Sequence, residues 1–167
     1  LGGLAAALLV GLILSAGAGG QWQLLALFLN YSPAGVSDPV FGQDVAFYML
    51  TLPFYRALDQ WLLGLFFMTA LVVSVIYTWR GETFDFRVAA RPLAHLSILG
   101  ALLALGLAAS AYIGRYEVLF AHNGFVHGAG FADVNARIPL GTARAALAAL
   151  LAVALLANVV IRRPALP

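Results

Sequence analysis

Four long apolar stretches run along this chain, and charged residues stand only outside them. The stretches cover residues 1–20, 60–79, 92–114 and 145–161. A helix needs about 20 apolar residues to cross the ~30 Å hydrocarbon core of a bilayer. The pattern therefore predicts an all-α integral membrane helical bundle, with four transmembrane helices in a single domain over residues 1–167.

The connections between the stretches differ in length and in character. A short loop, 80–91, joins the second stretch to the third, whereas 21–59 and 115–144 form two long connections. The first long connection starts with an apolar run between Trp22 and Tyr31, and such aromatic residues favour the headgroup level of a bilayer. We therefore expect a short interfacial or re-entrant helix there.

Turn-forming residues follow that run. Two prolines and two glycines lie within residues 32–42, and Asp44 is then placed to cap a second short helix. Pro53 is expected to kink or end this helix. In the second long connection, spaced apolar residues predict an ordered, partly buried cap rather than a disordered loop. These residues are Phe120, Phe125, Val126 and Phe131.

Charge is scarce in this chain, which restricts both its class and its orientation. Only 10% of the residues are charged and 63% are hydrophobic, whereas ~25% are charged in an ordinary soluble domain. So few charges cannot cover a soluble fold, which excludes a soluble enzyme and a nucleic-acid-binding protein. Arginines concentrate in the loop 80–91 and at Arg162 and Arg163. The positive-inside rule therefore predicts a cytoplasmic loop and C-terminus, with both long connections facing outward.

Several kinds of chemistry are missing from the sequence. The chain has no cysteine, which excludes disulfides and thiolate metal sites. It has no HExxH pattern and no Ser-His-Asp arrangement, and no acidic residue lies within the four stretches. We therefore expect no enzyme activity, no catalytic residues and no metal site. The expected partners are the lipid bilayer and other membrane helices or subunits.

Polar residues of the two long connections are the candidate structural or recognition residues. Together, carboxylates from both connections could bind a cation. Asp38 before a proline and Asp44 before a helix are, however, more typical of turn formation and capping. Arginines are expected to pair across the connections, for example Arg137 with Asp44 or Arg115 with Asp38, because isolated charges near hydrocarbon are costly. The full set is Asp38, Asp44, Arg115, Glu117, Asp133, Asn135 and Arg137.

The three histidines give weaker signals. His122 and His127 lie five residues apart and could share a metal, but no third ligand lies in step with them. His95 lies near the start of the third stretch, where a histidine can bind a haem or chlorophyll-type pigment, or contact water or a backbone carbonyl. We therefore predict no cofactor, with a pigment or haem at His95 as the alternative.

Small residues mark one face of the third stretch. Gly106, Ser110 and Gly114 are spaced four apart. Small residues at this spacing let two membrane helices approach closely. We expect this face to pack against another helix of the bundle, and the alternative is a docking face for another subunit.

Two motifs resemble those of an uncharacterised family of large bacterial multi-pass membrane proteins. The first reads GVSDPVFGQDVAFY over residues 35–48, with LPF at 52–54. The second reads RYEVLF over 115–120 and GAGFADVNARIP over 128–139. The resemblance implies a bacterial plasma membrane protein and the middle of its membrane part, with a large extracytoplasmic domain elsewhere in the whole protein. It implies no activity and no site residues.

These observations favour a structural or accessory component, either a scaffold or a subunit of a larger membrane complex. One alternative is part of a transporter or channel whose path other spans complete. Another is a pigment- or haem-binding subunit of an energy-transducing complex. In each case the outer face, around residues 38–48 and 115–139, is the expected place for any activity.

Overall fold

The computed structural model describes residues 21–80, 90–120, 122–123 and 126–161, with scattered positions between 4 and 15. Apart from one small pair of strands, the regular elements of the described residues are helical, as the sequence predicts. In chain order the elements are α1 (Trp22–Leu29), a first π-helical turn (Phe47–Thr51), α2 (Leu52–Trp79), α3 (Ala90–Ile113), a 3-10 segment (Gly114–Phe120), β1 (His122–Asn123), β2 (Val126–His127), a second π-helical turn (Asp133–Arg137) and α4 (Ile138–Ile161).

Three helical stretches among the described residues are long and apolar enough to cross a membrane. They are Phe47–Trp79, Pro92–Phe120 and Asp133–Ile161. These contain the second, third and fourth predicted spans. Most of the predicted first span, 1–20, lies outside the described residues, so the structure supports three crossing helices rather than four.

The second span begins earlier than the sequence predicts. The chain is helical without a break from Phe47 to Trp79, so the prediction that the short helix ends at Pro53 is wrong, whereas a kink at Pro53 stays a prediction. A π-helical turn ends at Thr51, and Pro53 falls in the first turn of α2. Proline is tolerated at that position of an α-helix, because its fixed φ suits the helical conformation. The first connection therefore ends in helix rather than in loop.

Helix α3 lies between α2 and α4 and packs against both of them. Its contact with α4 is made by small side chains, because Ala101 and Ala104 lie against Ala152 and all three are buried. Leu155 covers this cluster. Close packing of small residues is how membrane helices associate, since lipid chains provide no hydrophobic driving force between them.

The predicted small-residue face of α3 turns toward α2 over part of its length. A methyl group on Gly106 would lie 2.6 Å from Cδ2 of Leu63 in α2, so the two helices approach closely there. Ser110 also contacts α2, through its hydroxyl. Open space surrounds Gly114, the third residue of the set.

A two-stranded antiparallel ribbon follows the 3-10 segment. Its register places His122 opposite His127, and Asn123 opposite Val126. The two histidines that lie five apart in sequence are therefore paired residues in the backbone register of the ribbon.

Candidate functional site

The carboxylate of Asp38 organises the turn between α1 and α2. Its Oδ1 accepts hydrogen bonds from the backbone N–H groups of Val40 at 2.8 Å and Phe41 at 2.7 Å. Its Oδ2 accepts from the N–H of Gln43 at 3.0 Å and from the hydroxyl of Tyr48 at 2.5 Å. One side chain thus fixes both the turn and its contact with the first π-helical turn.

Asp44 joins an earlier part of the same connection to the start of the helix. Its Oδ1 accepts from the N–H groups of Ala34 at 3.0 Å and Ala46 at 2.7 Å. Its Oδ2 accepts from the N–H of Gly35 at 2.8 Å. Gly35 has a φ of +75°, a conformation that glycine adopts without steric cost. The carboxylate therefore caps the helix and holds the loop against it.

Hydrogen bonds lower the pKa of both carboxyl groups. Burial raises the pKa of Asp38, but the bonds from Tyr48 and three backbone N–H groups together leave it below its ordinary value of 3.8. Backbone N–H groups, first those of Ala34 and Ala46, hold the pKa of Asp44 below that value. Bonds to the charged form favour that form. Since the chain itself occupies these oxygens, the geometry favours turn formation and capping over a cation site.

Aromatic rings join the two long connections. The Tyr116 ring lies edge-on to Phe41, Phe47 and Tyr48, with centroid distances of 4.8, 5.2 and 5.9 Å. Phe120 lies 6.2 Å from Tyr48. Edge-on pairs at these distances are favourable beyond the area they bury. We call residues 34–48 and 115–120, held together by these five rings, the cap.

Ion pairing in this region partly follows the expectation. Arg56 of α2 pairs with Glu117 of the 3-10 segment, which is an ion pair across the two connections. Arg137 pairs instead with Asp133 of its own helical turn, at 2.9 Å. The suggested pairs of Arg137 with Asp44 and Arg115 with Asp38 are wrong, because backbone N–H groups and Tyr48 hold both carboxylates.

Side chains of the second π-helical turn bond to backbone groups just before it. Asp133 is 5% exposed and also accepts from the N–H of Gly130 at 3.0 Å. Asn135 donates to the carbonyl of Phe131 at 2.9 Å. The expected partial burial is wrong for Phe131, which is 85% exposed, and Phe120 is also exposed. Phe125 and the side chain of Val126 lie outside the described residues.

Arg115 is held in the 3-10 segment, directly after the C-terminal end of α3. Its guanidinium carbon lies 3.7 Å above the ring centroid of Tyr112. Its Nε donates to the Tyr112 carbonyl at 3.1 Å, and Nη1 donates to the Thr142 hydroxyl at 3.2 Å. A methyl group on Gly141 would lie 2.9 Å from Cγ of Arg115, so only a glycine leaves room for this arginine against α4.

Asp59 is a site residue that the sequence placed only at the edge of a span. It lies within the continuous helix Phe47–Trp79, is 9% exposed and accepts a hydrogen bond from Ser110 of α3. The segment from Asp59 to Trp79 rises about 30 Å in a helix, as does that from Ala90 to Ser110. Matching these lengths in a helical hairpin would have revealed the pair.

Of the three histidines, only His95 has a side chain within the described residues, so the suggested metal at His122 and His127 lies outside them. Nδ1 of His95 lies 3.0 Å from the Tyr77 hydroxyl of α2, so one ring nitrogen has a protein partner. Within the described part of the chain, no three His, Asp or Glu side chains are grouped as metal ligands. A haem or pigment at His95 stays a prediction.

Comparison with known proteins reveals a family likeness over nearly the whole chain. The Uncharacterised protein family (UPF0182) matches residues 2–167. A "UPF0182 protein" of Synechococcus sp. (strain JA-3-3Ab) is 38% identical over 137 residues, which cover 80% of this chain and 16% of the relative. One of Methanospirillum hungatei JF-1 is 34% identical over 183 aligned positions, which cover 98% of this chain and 20% of the relative.

The relatives are much longer than this chain. The protein GSU2333 of Geobacter sulfurreducens is 36% identical over 126 residues, which are only 14% of its length. The chain thus spans one fifth or less of the relatives named here. No solved structure matches the chain.

Proposed function

This chain belongs to the Uncharacterised protein family (UPF0182), and on that premise we propose that it is a structural, non-catalytic membrane segment. In this proposal the cap is a preformed recognition surface for a further domain or subunit on the same side of the membrane. The observation that carries the proposal is the joining of both connections by Asp38, Tyr48 and Tyr116. A surface fixed in one geometry binds a partner with less loss of conformational entropy than a flexible surface does.

Two further observations support a scaffold. An apolar groove of about 670 Å³ lies over α3 between α2 and α4, and residues such as Leu52, Ala109 and Ala149 line it. The relatives contain several times the length of this chain, and we propose that helices of the same whole protein fill this groove. Small residues in the groove suit close helix contact.

Orientation completes the proposal. The concentration of arginines in the loop 80–91 and at Arg162 and Arg163 supports a cytoplasmic position for both segments. The cap then faces outward from a plasma membrane.

Site-specific photo-crosslinking in the full-length protein tests the recognition surface. We would place a photo-reactive residue at Phe131, which is 85% exposed beside the cap, and as a matched control at Ile161, which is 79% exposed at the far end of α4. We expect protein adducts from position 131 that decrease when Asp38→Asn disrupts the cap. Only lipid adducts are expected from position 161. Lipid adducts alone from both positions would contradict the proposal.

A second candidate is part of an ion or solute path, and the buried Asp59–Ser110 pair favours it. Acidic groups within membrane helices commonly mark ion or proton pathways. Proteoliposomes containing the full-length protein and a pH-sensitive dye would report proton flux. Under this candidate Asp59→Asn abolishes the flux and Glu117→Gln, at a 59% exposed side chain, retains it. Absence of flux in the unaltered protein would exclude a proton path.

A further inference from the structure

We propose that a polar pocket between α3 and α4 binds the phosphate group of an anionic membrane lipid. The pocket has a volume of about 390 Å³ and lies where the 3-10 segment meets the start of α4. Three arginines and one glutamate line it: Arg115, Arg137, Arg144 and Glu117.

The charge of this pocket is not balanced by the described residues. Glu117 pairs with Arg56, which lies outside the pocket lining, and Arg137 pairs with Asp133. No ion pair joins Arg115 or Arg144 to a carboxylate in the part of the chain that the structure describes. Two positive charges therefore remain, and an anion is the ligand that would neutralise them.

Arg115 is already positioned for such a ligand. The Tyr112 ring, the Tyr112 carbonyl and the Thr142 hydroxyl hold its guanidinium, and Gly141 leaves room for its side chain. A guanidinium has five N–H donors, of which these contacts use two. Its planar fork matches two oxygens of a phosphate group. Little side-chain entropy is then lost on binding.

The position of the pocket favours a lipid over phosphate in solution. From Arg144 to Ile161, helix α4 rises about 26 Å, which is close to the ~30 Å thickness of the hydrocarbon core. Arg144 and Arg115 therefore stand at the level of lipid headgroups. Leu107 and Leu140 also line the pocket, and they offer apolar contact to the glycerol and upper acyl chains of a bound lipid.

Lipid binding to the full-length protein in detergent, measured by native mass spectrometry, tests the proposal. The probes are phosphatidylglycerol and phosphatidylcholine of the same acyl chains, and inorganic phosphate as competitor. We expect phosphatidylglycerol to bind about tenfold more tightly, a difference of ~1.4 kcal/mol. Equal affinity for the two lipids would overturn the proposal. Displacement of the lipid by millimolar phosphate would assign the pocket to free phosphate and overturn the lipid assignment.

Three variants locate the site. Arg144→Gln alters an exposed side chain and is expected to remove most of the preference for phosphatidylglycerol without affecting folding. Gly141→Ala, which places a methyl group 2.9 Å from Arg115 Cγ, is expected to reduce it by displacing that arginine. The double variant Arg162→Gln/Arg163→Gln removes charge elsewhere and should retain the preference. If Arg144→Gln retains it, or the double variant loses it, the site is not this pocket.

Discussion

The two ends of the helical bundle are held by different kinds of interaction. At the cap, Asp38 and Asp44 accept hydrogen bonds from the backbone, and aromatic rings join segments that are distant in sequence. Toward the opposite end, the described helices meet through alanines and leucines, with single hydrogen bonds such as that from Asn158 to Ser97 at 3.3 Å.

This difference has a physical consequence. Hydrogen bonds to a charged acceptor are directional and add geometric specificity, whereas contacts between small apolar residues contain no directional bond. The cap is therefore expected to keep its shape when neighbouring helices are added or removed. The opposite end is expected to adjust to whatever packs against it.

The largest effect is expected from Asp38→Asn. The amide oxygen can still accept from Val40 and Phe41, but without the negative charge. The amide NH2 replaces the oxygen that accepts from the N–H of Gln43 and the hydroxyl of Tyr48, so these two donors lose their acceptor. We expect the local free energy of opening to decrease by about 2–4 kcal/mol. Hydrogen exchange of the Val40, Phe41 and Gln43 amides in the full-length protein would measure it. The exposed-site variant Leu150→Ala is the control, and equal exchange in both variants would show that the cap does not depend on this carboxylate.

Acid is expected to weaken the cap in a smaller, graded way. The pKa of Asp38 and that of Asp44 lie below 3.8 in the folded protein, so the unfolded chain binds protons at a higher pH than the folded chain does. The stabilisation is complete above the unfolded pKa and is lost as the pH falls through the folded pKa. Opening measured between about pH 5 and pH 2 should therefore increase as the pH falls. A flat profile would contradict the assigned hydrogen bonds, and Asp38→Asn should make the profile less steep, because only Asp44 then contributes.

Local features of the cap and of the helices could be predicted from the sequence. The helical class and three crossing stretches follow from apolar runs, and the capping role of Asp44 follows from its position before a helix. Pro53 was misjudged because its effect depends on where the helix starts, and the π-helical turn before Leu52 sets that start. No periodic pattern announces a π-helical turn.

Contacts between distant residues could not be predicted. Tyr116 contacts Phe41 and Tyr48 only because α2 and α3 lie side by side, with the start of α2 level with the end of α3. The pairing of Asp59 with Ser110 has the same origin. With one sequence, residue types and spacing give the candidates, whereas the helix lengths and packing that select partners come from the structure.

A pair of glycines in α3 and the 3-10 segment tests close packing outside the cap. In Gly106→Ala the new methyl group lies 2.6 Å from Leu63 Cδ2, whereas in Gly114→Ala it meets open space. We expect Gly106→Ala to destabilise the contact between α2 and α3 by about 1–2 kcal/mol and Gly114→Ala to have little effect. Hydrogen exchange in α3 measures both. Similar results for the two variants would mean that Leu63 moves aside without cost, and that even this contact tolerates adjustment.

The smallest effect is expected from the bond between Asn158 and Ser97. Hydrogen bonds between membrane helices contribute about 0.6 kcal/mol on average, because the separated helices also find polar partners. Asn158→Ala, Ser97→Ala and the double variant form a cycle that gives the coupling between the two residues. A coupling near this value supports the expectation that the end opposite the cap is adaptable, because packing then contributes more there than hydrogen bonds do. A coupling of about 2 kcal/mol or more would exceed that average several-fold. The end opposite the cap would then depend on directional bonds as the cap does, and the contrast between the two ends would not hold.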